Sequence, residues 1–361
     1  MIHIIIGTRA QLIKMIPVMK ELKDRRINYN FIFLAQHYET IYEILDDFHL
    51  KKPDIVLGGT QKDIVSSLKL FLWAVNVFFT SVFRKKKIFQ GDNNGVVLVH
   101  GDALPLFLGA LLGKIQRLKV GAVEAGLRSH NYRNPFPEEL IRVITSRLGL
   151  IDIFYCQDSI SVNNAEEYKK GRVVCTQGNT IFDSIDLALK NNVPEKKIPN
   201  KYAIVTLHRF ENISTRDKFK KILDLVLSPP DGVKLKFILH PPTRKKLREY
   251  ALYEYVEKMD RVELLPRMNF LNFNRLLSRA QYIITDGGSN QEECAYMGVP
   301  CLIMRSETER SDGIGRNAVL SLYDEEIIQN FFQNYETLRQ APETASASPT
   351  KIIVDDLLAA L

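Results

Sequence analysis

The sequence predicts an α/β protein built from two doubly wound units in tandem. Three observations point there: short apolar runs alternate with helical segments, a polar break with two prolines falls past the middle, and the same alternation restarts after it. With 361 residues, 45% hydrophobic and 25% charged, the chain has the make-up of a globular protein and is neither disordered nor fibrous. At this size about three quarters of the unfolded surface is buried on folding, which is enough for two cores.

Ile2–Ile6 is a continuous apolar run of the kind buried on both faces of a parallel sheet. Gly7 ends it early, and it has no basic start or small-residue cleavage site, so a strand is expected rather than a signal peptide. The signature recurs at 30–34, 95–100, 120–123 and 151–155. Residues 64–83 contain Leu70-Phe71-Leu72-Trp73-Ala74-Val75 and Val77-Phe78-Phe79 and lead into Arg84-Lys85-Lys86-Lys87. Lys69, Asn76 and several Ser/Thr interrupt them, which argues against a spanning helix. A buried helix is expected, with peripheral membrane contact through the apolar face and basic end of 70–87 as the alternative.

The polar stretch 192–200, with its two prolines, reads as a linker. Strands are then expected at 202–207, 234–240, 262–265, 282–285 and 301–304. A polar segment at 341–350 precedes an amphipathic one at 352–361 that packs back as a helix. The expected domains are therefore 1–192, completed by a C-terminal helix at 351–361, and 201–345. Ligands of such sheets bind beyond the carboxyl ends of the strands, so chemistry is expected in the loops after strands, facing a central cleft.

Lys and Arg number 49 against 42 Asp and Glu, a net +7 that favours anionic partners and is modest for a nucleic-acid binder. Cys156, Cys175, Cys294 and Cys301 form no C-x-x-C pair and have no zinc-type spacing. Free thiols in a reducing compartment, the cytoplasm, are expected.

After the first strand, Gly7-Thr8-Arg9 permits a tight turn into a helix start, and Arg9 and Lys14 bring two cations to an anion such as phosphate. Gly101-Asp102 and Glu124 follow later strands, and Pro137-Glu138-Glu139 adds acidic positions with Arg142 a helical turn on. Three carboxylates, Asp102, Glu124 and Glu138, can serve as acid and base; equally, Asp102 and Glu138 can cap helices while Glu124 pairs with Arg128. His208 and His240 stand at equivalent strand ends in the second half. In Asp286-Gly287-Gly288-Ser289, backbone N–H groups can hold phosphate, and Glu293 can accept ribose hydroxyls.

Together these stretches resemble the bacterial non-hydrolysing UDP-N-acetylglucosamine 2-epimerase family of the GT-B fold, two Rossmann-like domains. The matching elements are Gly7-Thr8-Arg9 with Lys14, Gln36-His37, Gly101-Asp102, Val123 to Arg128, Pro137-Glu138-Glu139 with Arg142, His208-Arg209 with Glu211-Asn212, Phe273, Asp286 to Glu293, and Thr308-Glu309-Arg310. The resemblance implies conversion of UDP-GlcNAc to UDP-ManNAc, or of a related UDP-2-acetamido sugar, by elimination and re-addition of UDP, for surface polysaccharide synthesis. It implies a homodimer and neither metal nor nicotinamide cofactor. It places Asp102, Glu124, Glu138 and His208 in catalysis. Arg9, Lys14, Arg142, His240, Phe273, Gly287, Gly288, Ser289, Glu293 and Arg310 are placed on the UDP-sugar. The alternatives are a hydrolysing 2-epimerase, a GT-B glycosyltransferase and a UDP-sugar-binding protein without turnover.

The chain departs from the family pattern at Ala10-Gln11, where Pro-Glu is common, at Ala103 for Thr, Ala122 for His and Ile141 for Asn. It also has Gly287-Gly288-Ser289 for Ser-Gly-Gly. In the segment resembling the regulatory UDP-GlcNAc site, Tyr38 replaces Arg. Substrate activation is therefore expected to be weak or absent: initial rates against UDP-GlcNAc concentration follow a hyperbola, and a sigmoidal curve contradicts this.

Overall fold

The computed structural model describes residues 1–36, 38, 40–59, 67–101, 103–132, 137–190, 201–228, 230, 232–308, 310–343 and 347–359. The expected linker at 192–200 lies outside them. The chain divides into two compact units, Met1–Leu187 with Ala345–Leu361, and Ala188–Thr344.

The first unit opens with β1 (Ile2–Ile6), α1 (Arg9–Asp24), β2 (Tyr29–Phe33), α2 (Ile41–Asp47) and β3 (Ile55–Val56). It continues through α3 (Ser67–Ile88), β4 (Val96–His100), α4 (Leu104–Ile115), β5 (Lys119–Val123) and α5 (Glu138–Arg147). Then come β6 (Ile153–Cys156), α6 (Ser159–Glu166), β7 (Arg172–Cys175) and α7 (Thr180–Lys190). The strands form one sheet in the order β3-β2-β1-β4-β5-β6-β7, every pair parallel. All five residues of β1 are buried, as both faces of a parallel sheet are covered by helices. His3 is tolerated there because its Nε2 lies 3.0 Å from Asp92 Oδ2 and its Nδ1 2.9 Å from Asn30 Nδ2.

The second unit runs β8 (Tyr202–Thr206), α8 (Phe210–Ile213), α9 (Arg216–Val226), β9 (Lys234–Leu239), α10 (Pro241–Glu249), α11 (Tyr253–Glu257) and β10 (Val262–Pro266). It continues with α12 (Phe270–Ser278), β11 (Ile283–Thr285), α13 (Gly288–Met297), β12 (Cys301–Ile303), β13 (Ala318–Leu320) and α14 (Glu325–Asn334). Its sheet is also all-parallel, in the order β10-β9-β8-β11-β12-β13. The two doubly wound, Rossmann-like units are thus the predicted fold class. Sequence reasoning missed β3, β7 and β13, which have only two to four residues each and do not stand out as long apolar runs.

α3 is only half-buried, where a buried helix was expected. Trp73 and Val77 are buried and the Trp73 indole N–H donates to the Leu34 carbonyl at 2.9 Å, whereas Leu68, Phe71, Leu72, Phe79 and Phe83 are exposed. No helix among the described residues is long and apolar enough to cross a membrane.

The last helix, α15 (Pro349–Ala359), belongs to the first unit and packs on α1, burying Ile353, Val354 and Leu357 completely. Asp183 accepts from the Thr350 N–H at its start. Asp356 accepts from the Tyr155 hydroxyl at 2.8 Å and from Arg172 Nη2 at 2.8 Å. Burial works against ionising Asp356, and the bonds from Arg172 and Tyr155 outweigh it, holding the carboxyl below the ordinary carboxylate range. Replacing Asp356 by Ala leaves a fully buried tyrosine without its acceptor. It is expected to lower stability by about 1–3 kcal/mol, read as a shift of the urea midpoint at constant m-value.

Candidate active site

Each sheet reverses its strand order once, between β1 and β4 in the first unit and between β8 and β11 in the second. Connections leave to opposite faces at such a point and open a crevice beyond the carboxyl ends of the strands. β1 leads into Gly7, Thr8 and Arg9, β8 leads towards His208, and β11 leads into Asp286 and Gly287.

In the first unit, Thr8 caps α1. Its side chain accepts from the Gln11 N–H at 3.3 Å, while Gln11 Oε1 accepts from the N–H groups of Gly7 and Thr8 at 3.0 and 3.2 Å. Gln11 Nε2 donates to the His100 carbonyl at 2.7 Å, tying the end of β1 to the end of β4. A glutamate there has no N–H to give, so the amide is what allows both bonds. Arg9, next to the cap, has a buried Nε without a hydrogen bond.

Lys14, one turn further on, reaches Glu124 with its ammonium 2.7 Å from both carboxylate oxygens, both side chains being more than nine-tenths buried. His100 Nε2 lies 3.2 Å from Glu124 Oε2. Glu124 therefore pairs with Lys14 and His100, and the Glu124–Arg128 pair considered from sequence is not the arrangement found. Glu124 also holds φ at 59°, a left-handed conformation uncommon for a side-chain-bearing residue, in the turn directly after β5. Strain of this kind concentrates at functional sites.

Arg128 belongs to Glu139 instead. That glutamate is fully buried and accepts from Arg128 Nε at 2.6 Å, the Ser129 and His130 N–H groups at 3.0 and 3.2 Å, and Arg142 Nη1 at 3.3 Å. Burial opposes its ionisation, but these donors outweigh it and hold the carboxyl below the ordinary carboxylate range. Arg142, expected on the UDP-sugar, is thus also part of this cluster. Glu138 is the first residue of α5, half-buried, and the helix has no side-chain cap bond, which removes the capping role considered from sequence. Asp102, His37 and Glu309 lie outside the described residues. Tyr38 has its ring centroid 5.3 Å from that of Tyr42.

In the second unit, fully buried Asp286 gathers the loop after β8. It accepts from the His208 N–H at 2.9 Å, the Arg209 N–H at 2.9 Å and Asn212 Nδ2 at 2.9 Å, and its Oδ1 lies 3.2 Å from His208 Nδ1. Asn212 is itself held by the Met304 carbonyl at 3.0 Å and the Tyr323 hydroxyl at 2.6 Å. His208 stacks on His240, ring centroids 4.5 Å apart and planes 20° from parallel. Burial, reinforced by His208, lowers the His240 pKa to about 4, so that ring is neutral near pH 7 and adds no charge beside His208.

The turn into α13 is built on the Thr285 hydroxyl, which accepts from the Gly287 N–H and donates to Asn290 Oδ1, both at 3.0 Å. A Cβ on Gly287 would stand 2.8 Å from Asn290 Oδ1 and 3.1 Å from His208 Cε1, so the Ser of the family pattern would have to displace these side chains. Gly288 starts the helix, and Ser289 is exposed in its first turn. Glu293 is buried and accepts from Asn290 Nδ2 at 2.9 Å. Arg310 Nη1 lies 2.6 Å from buried Glu292, and Gln291 donates to the Arg310 and Asp312 carbonyls at 3.1 and 2.9 Å. Phe273 is half-buried on α12. A cavity of about 540 Å³ lies off the reversal point, between α10 and the end of β10. It is lined by Arg244, Lys245, Arg248 and Arg267 and by none of the expected site residues. Among the described residues no cluster of three His, Cys, Asp or Glu side chains could hold a metal ion.

The structure thus brings Lys14 and Glu124 together in one unit and His208, His240, Gly287 and Asp286 in the other. Sequence reasoning missed His100, Glu139 and Asn212 as partners. His100 carries a usable signal, since it ends a strand as His208 and His240 follow theirs; Glu139 is distinguished from Glu138 only by burial.

The sequence pattern of the family described as UDP-N-acetylglucosamine 2-epimerase matches residues 20–350. The Bacillus subtilis (strain 168) protein named UDP-N-acetylglucosamine 2-epimerase is 30% identical over 348 residues, covering 94% of this chain and 87% of the relative. A protein of the same name from Methanococcus maripaludis is 31% identical over 347 residues, covering 91% and 90%. The crystal structure of the UDP-GlcNAc 2-epimerase from Neisseria meningitidis bound to UDP-GlcNAc superposes with a TM-score of 0.79 at 27% identity, covering 99% of each chain.

Two adjacent glutamates should separate cleanly. Glu139→Ala strands the buried Arg128 guanidinium and two backbone N–H groups and is expected to cost about 3–5 kcal/mol in urea unfolding, whereas Glu138→Gln stays within about 0.5 kcal/mol of the parent.

Proposed function

The chain belongs to the UDP-N-acetylglucosamine 2-epimerase family, and from that premise we propose that it interconverts UDP-GlcNAc and UDP-ManNAc, or the C2 epimers of a related UDP-2-acetamido sugar. The observation that carries this reading is the pairing of His208 with buried Asp286 across the β8/β11 reversal, beside the glycine-rich start of α13.

The C2 proton of the sugar lies beside no carbonyl, so removing it alone faces a prohibitive barrier. Coupling its loss to departure of UDP solves this: the C2–H bond breaks, a C1–C2 double bond forms, and the C1–O bond leaves with the diphosphate. UDP then adds back to C1 as a proton arrives on the other face of C2. The route needs a base, an acid and stabilisation of a departing dianion.

The α13 start, with Gly287, Gly288 and Ser289, is assigned to the diphosphate through the Gly288 and Ser289 N–H groups and the helix dipole, the Gly287 N–H being held by the Thr285 hydroxyl. Arg9, Arg142 and Arg310 add positive charge, Phe273 lies by the uracil, Glu293 takes the ribose hydroxyls, and His240 braces His208. His208, oriented by Asp286, presents Nε2 as the donor or acceptor. Glu124, with an ammonium on both oxygens, serves as an acceptor that shares Lys14 with the ligand. Proton transfer at C2 accordingly falls to Asp102, by its place after β4, and to Glu138. We place the reaction in the cytoplasm, consistent with four free cysteines, in a homodimer and in the supply of amino sugar for surface polysaccharide.

Incubation with UDP-GlcNAc in deuterated water tests this. Deuterium at C2 of both epimers without an added acceptor supports the proposal. Release of UDP with free sugar points to a hydrolase, dependence on an acceptor to a transferase, and UDP binding without turnover to a binding protein. Asp102→Asn and Glu138→Gln are expected to abolish turnover while UDP affinity stays within about threefold, and Arg310→Ala to weaken UDP by about tenfold; calorimetric titration with UDP reads both.

A further inference from the structure

α3 carries a surface that the reaction does not use. Leu68, Phe71, Leu72, Val75, Phe79 and Phe83 are 68, 64, 57, 36, 54 and 83% exposed. At about 100° per residue they fall within roughly 120° of arc. The opposite face holds Trp73, Val77, Ser81 and Ile88, all buried, and the Trp73 bond to Leu34 anchors it. The exposed stripe is therefore mounted on a fixed helix whose other side is already occupied.

Large apolar side chains in one stripe on a soluble surface mark a contact, and the charges select its partner. Between residues 67 and 88 the helix has Lys69, Arg84, Lys85, Lys86 and Lys87 and no acidic residue, a local charge of +5. Lys86 falls on the stripe itself, and the basic run follows a kink at Arg84, where φ is −112° and ψ 16°. A second copy set against this stripe brings the same five cations, with no acid on its own α3 to answer them. A bilayer of anionic lipids offers phosphates to the cations and acyl chains to Phe71, Phe79 and Phe83. The helix, about 33 Å long, is suited to lie in the interface rather than cross it. Apolar insertion plus basic residues is the two-signal arrangement that makes such binding stable. We propose that the exposed face of α3 docks the protein on anionic lipid surfaces.

The test is co-sedimentation of the full chain with vesicles of phosphatidylcholine alone or with about 30 mol% phosphatidylserine, beside sedimentation equilibrium without lipid. Binding about tenfold tighter to the anionic vesicles, weakened by salt, is expected. Phe79→Asp with Phe83→Asp should lower it at least tenfold, and replacing Arg84, Lys85, Lys86 and Lys87 by Gln should bring it to the level of pure phosphatidylcholine. All these side chains except Lys85, which is half-buried, are exposed, and the far-ultraviolet spectrum and UDP affinity should be unchanged. No binding, or equal binding to both vesicles, overturns the proposal. So does a dimer in the parent that the Asp double variant converts to a monomer, which assigns the face to a second copy.

Discussion

A carboxylate buried at the end of a parallel strand has lost its water and must be answered by N–H groups or cations. Much of the local geometry follows from how two such carboxylates, Asp286 and Glu124, and a third buried on α5, Glu139, are answered. Asp286 collects two backbone N–H groups and an asparagine amide from the neighbouring strand's loop. Glu139 collects a guanidinium and two N–H groups from the loop after β5. Glu124 collects a lysine and faces a histidine. The bonds of Asp286 and Glu124 join segments that leave different strands, while those of Glu139 fold the loop after β5 back onto α5, so satisfying each carboxylate also sets the shape of these loops.

The three are not equivalent. Asp286 and Glu139 are fully buried, and each accepts from two backbone N–H groups besides its side-chain donors. Glu124 is held by a flexible lysine stem, sits on strained backbone and follows β5, the second strand beyond the reversal point. A carboxylate placed that way can exchange partners when a charged ligand arrives, which a carboxylate clamped by backbone N–H groups cannot. His208 lies beside the clamped kind: Asp286 Oδ1 is 3.2 Å from its Nδ1, and the His240 ring stacks on one face.

Two departures from the family pattern, at Gln11 and Gly287, have local physical accounts. Gln11 bonds as donor and acceptor at once, which links β1 to β4 in a way glutamate does not. Gly287 lets Asn290 and His208 approach closely, and the hydroxyl that organises the turn comes from Thr285 instead of the turn itself. The nucleotide-binding function proposed for this turn rests on backbone donors, which both sequences present.

What the chain order by itself determined is everything that depends on neighbours along it. The alternation of apolar runs and helices specified two parallel sheets, the glycines and prolines specified breaks, and the strand ends named the loops where Glu124, His208 and Asp286 stand. Short strands such as β7 and β13 escaped, being too few residues to show a period. Only the tertiary structure decided who meets whom. Lys14 finds Glu124 across 110 positions and His208 finds Asp286 across 78, while Arg128 passes over Glu124 for Glu139. It also decided which face of α3 is covered, because the helical repeat shows two apolar faces there and only packing against β-sheet and loop selects one. Periodicity records burial within a segment; an ion pair is a property of positions brought close by the fold, and no local pattern encodes it.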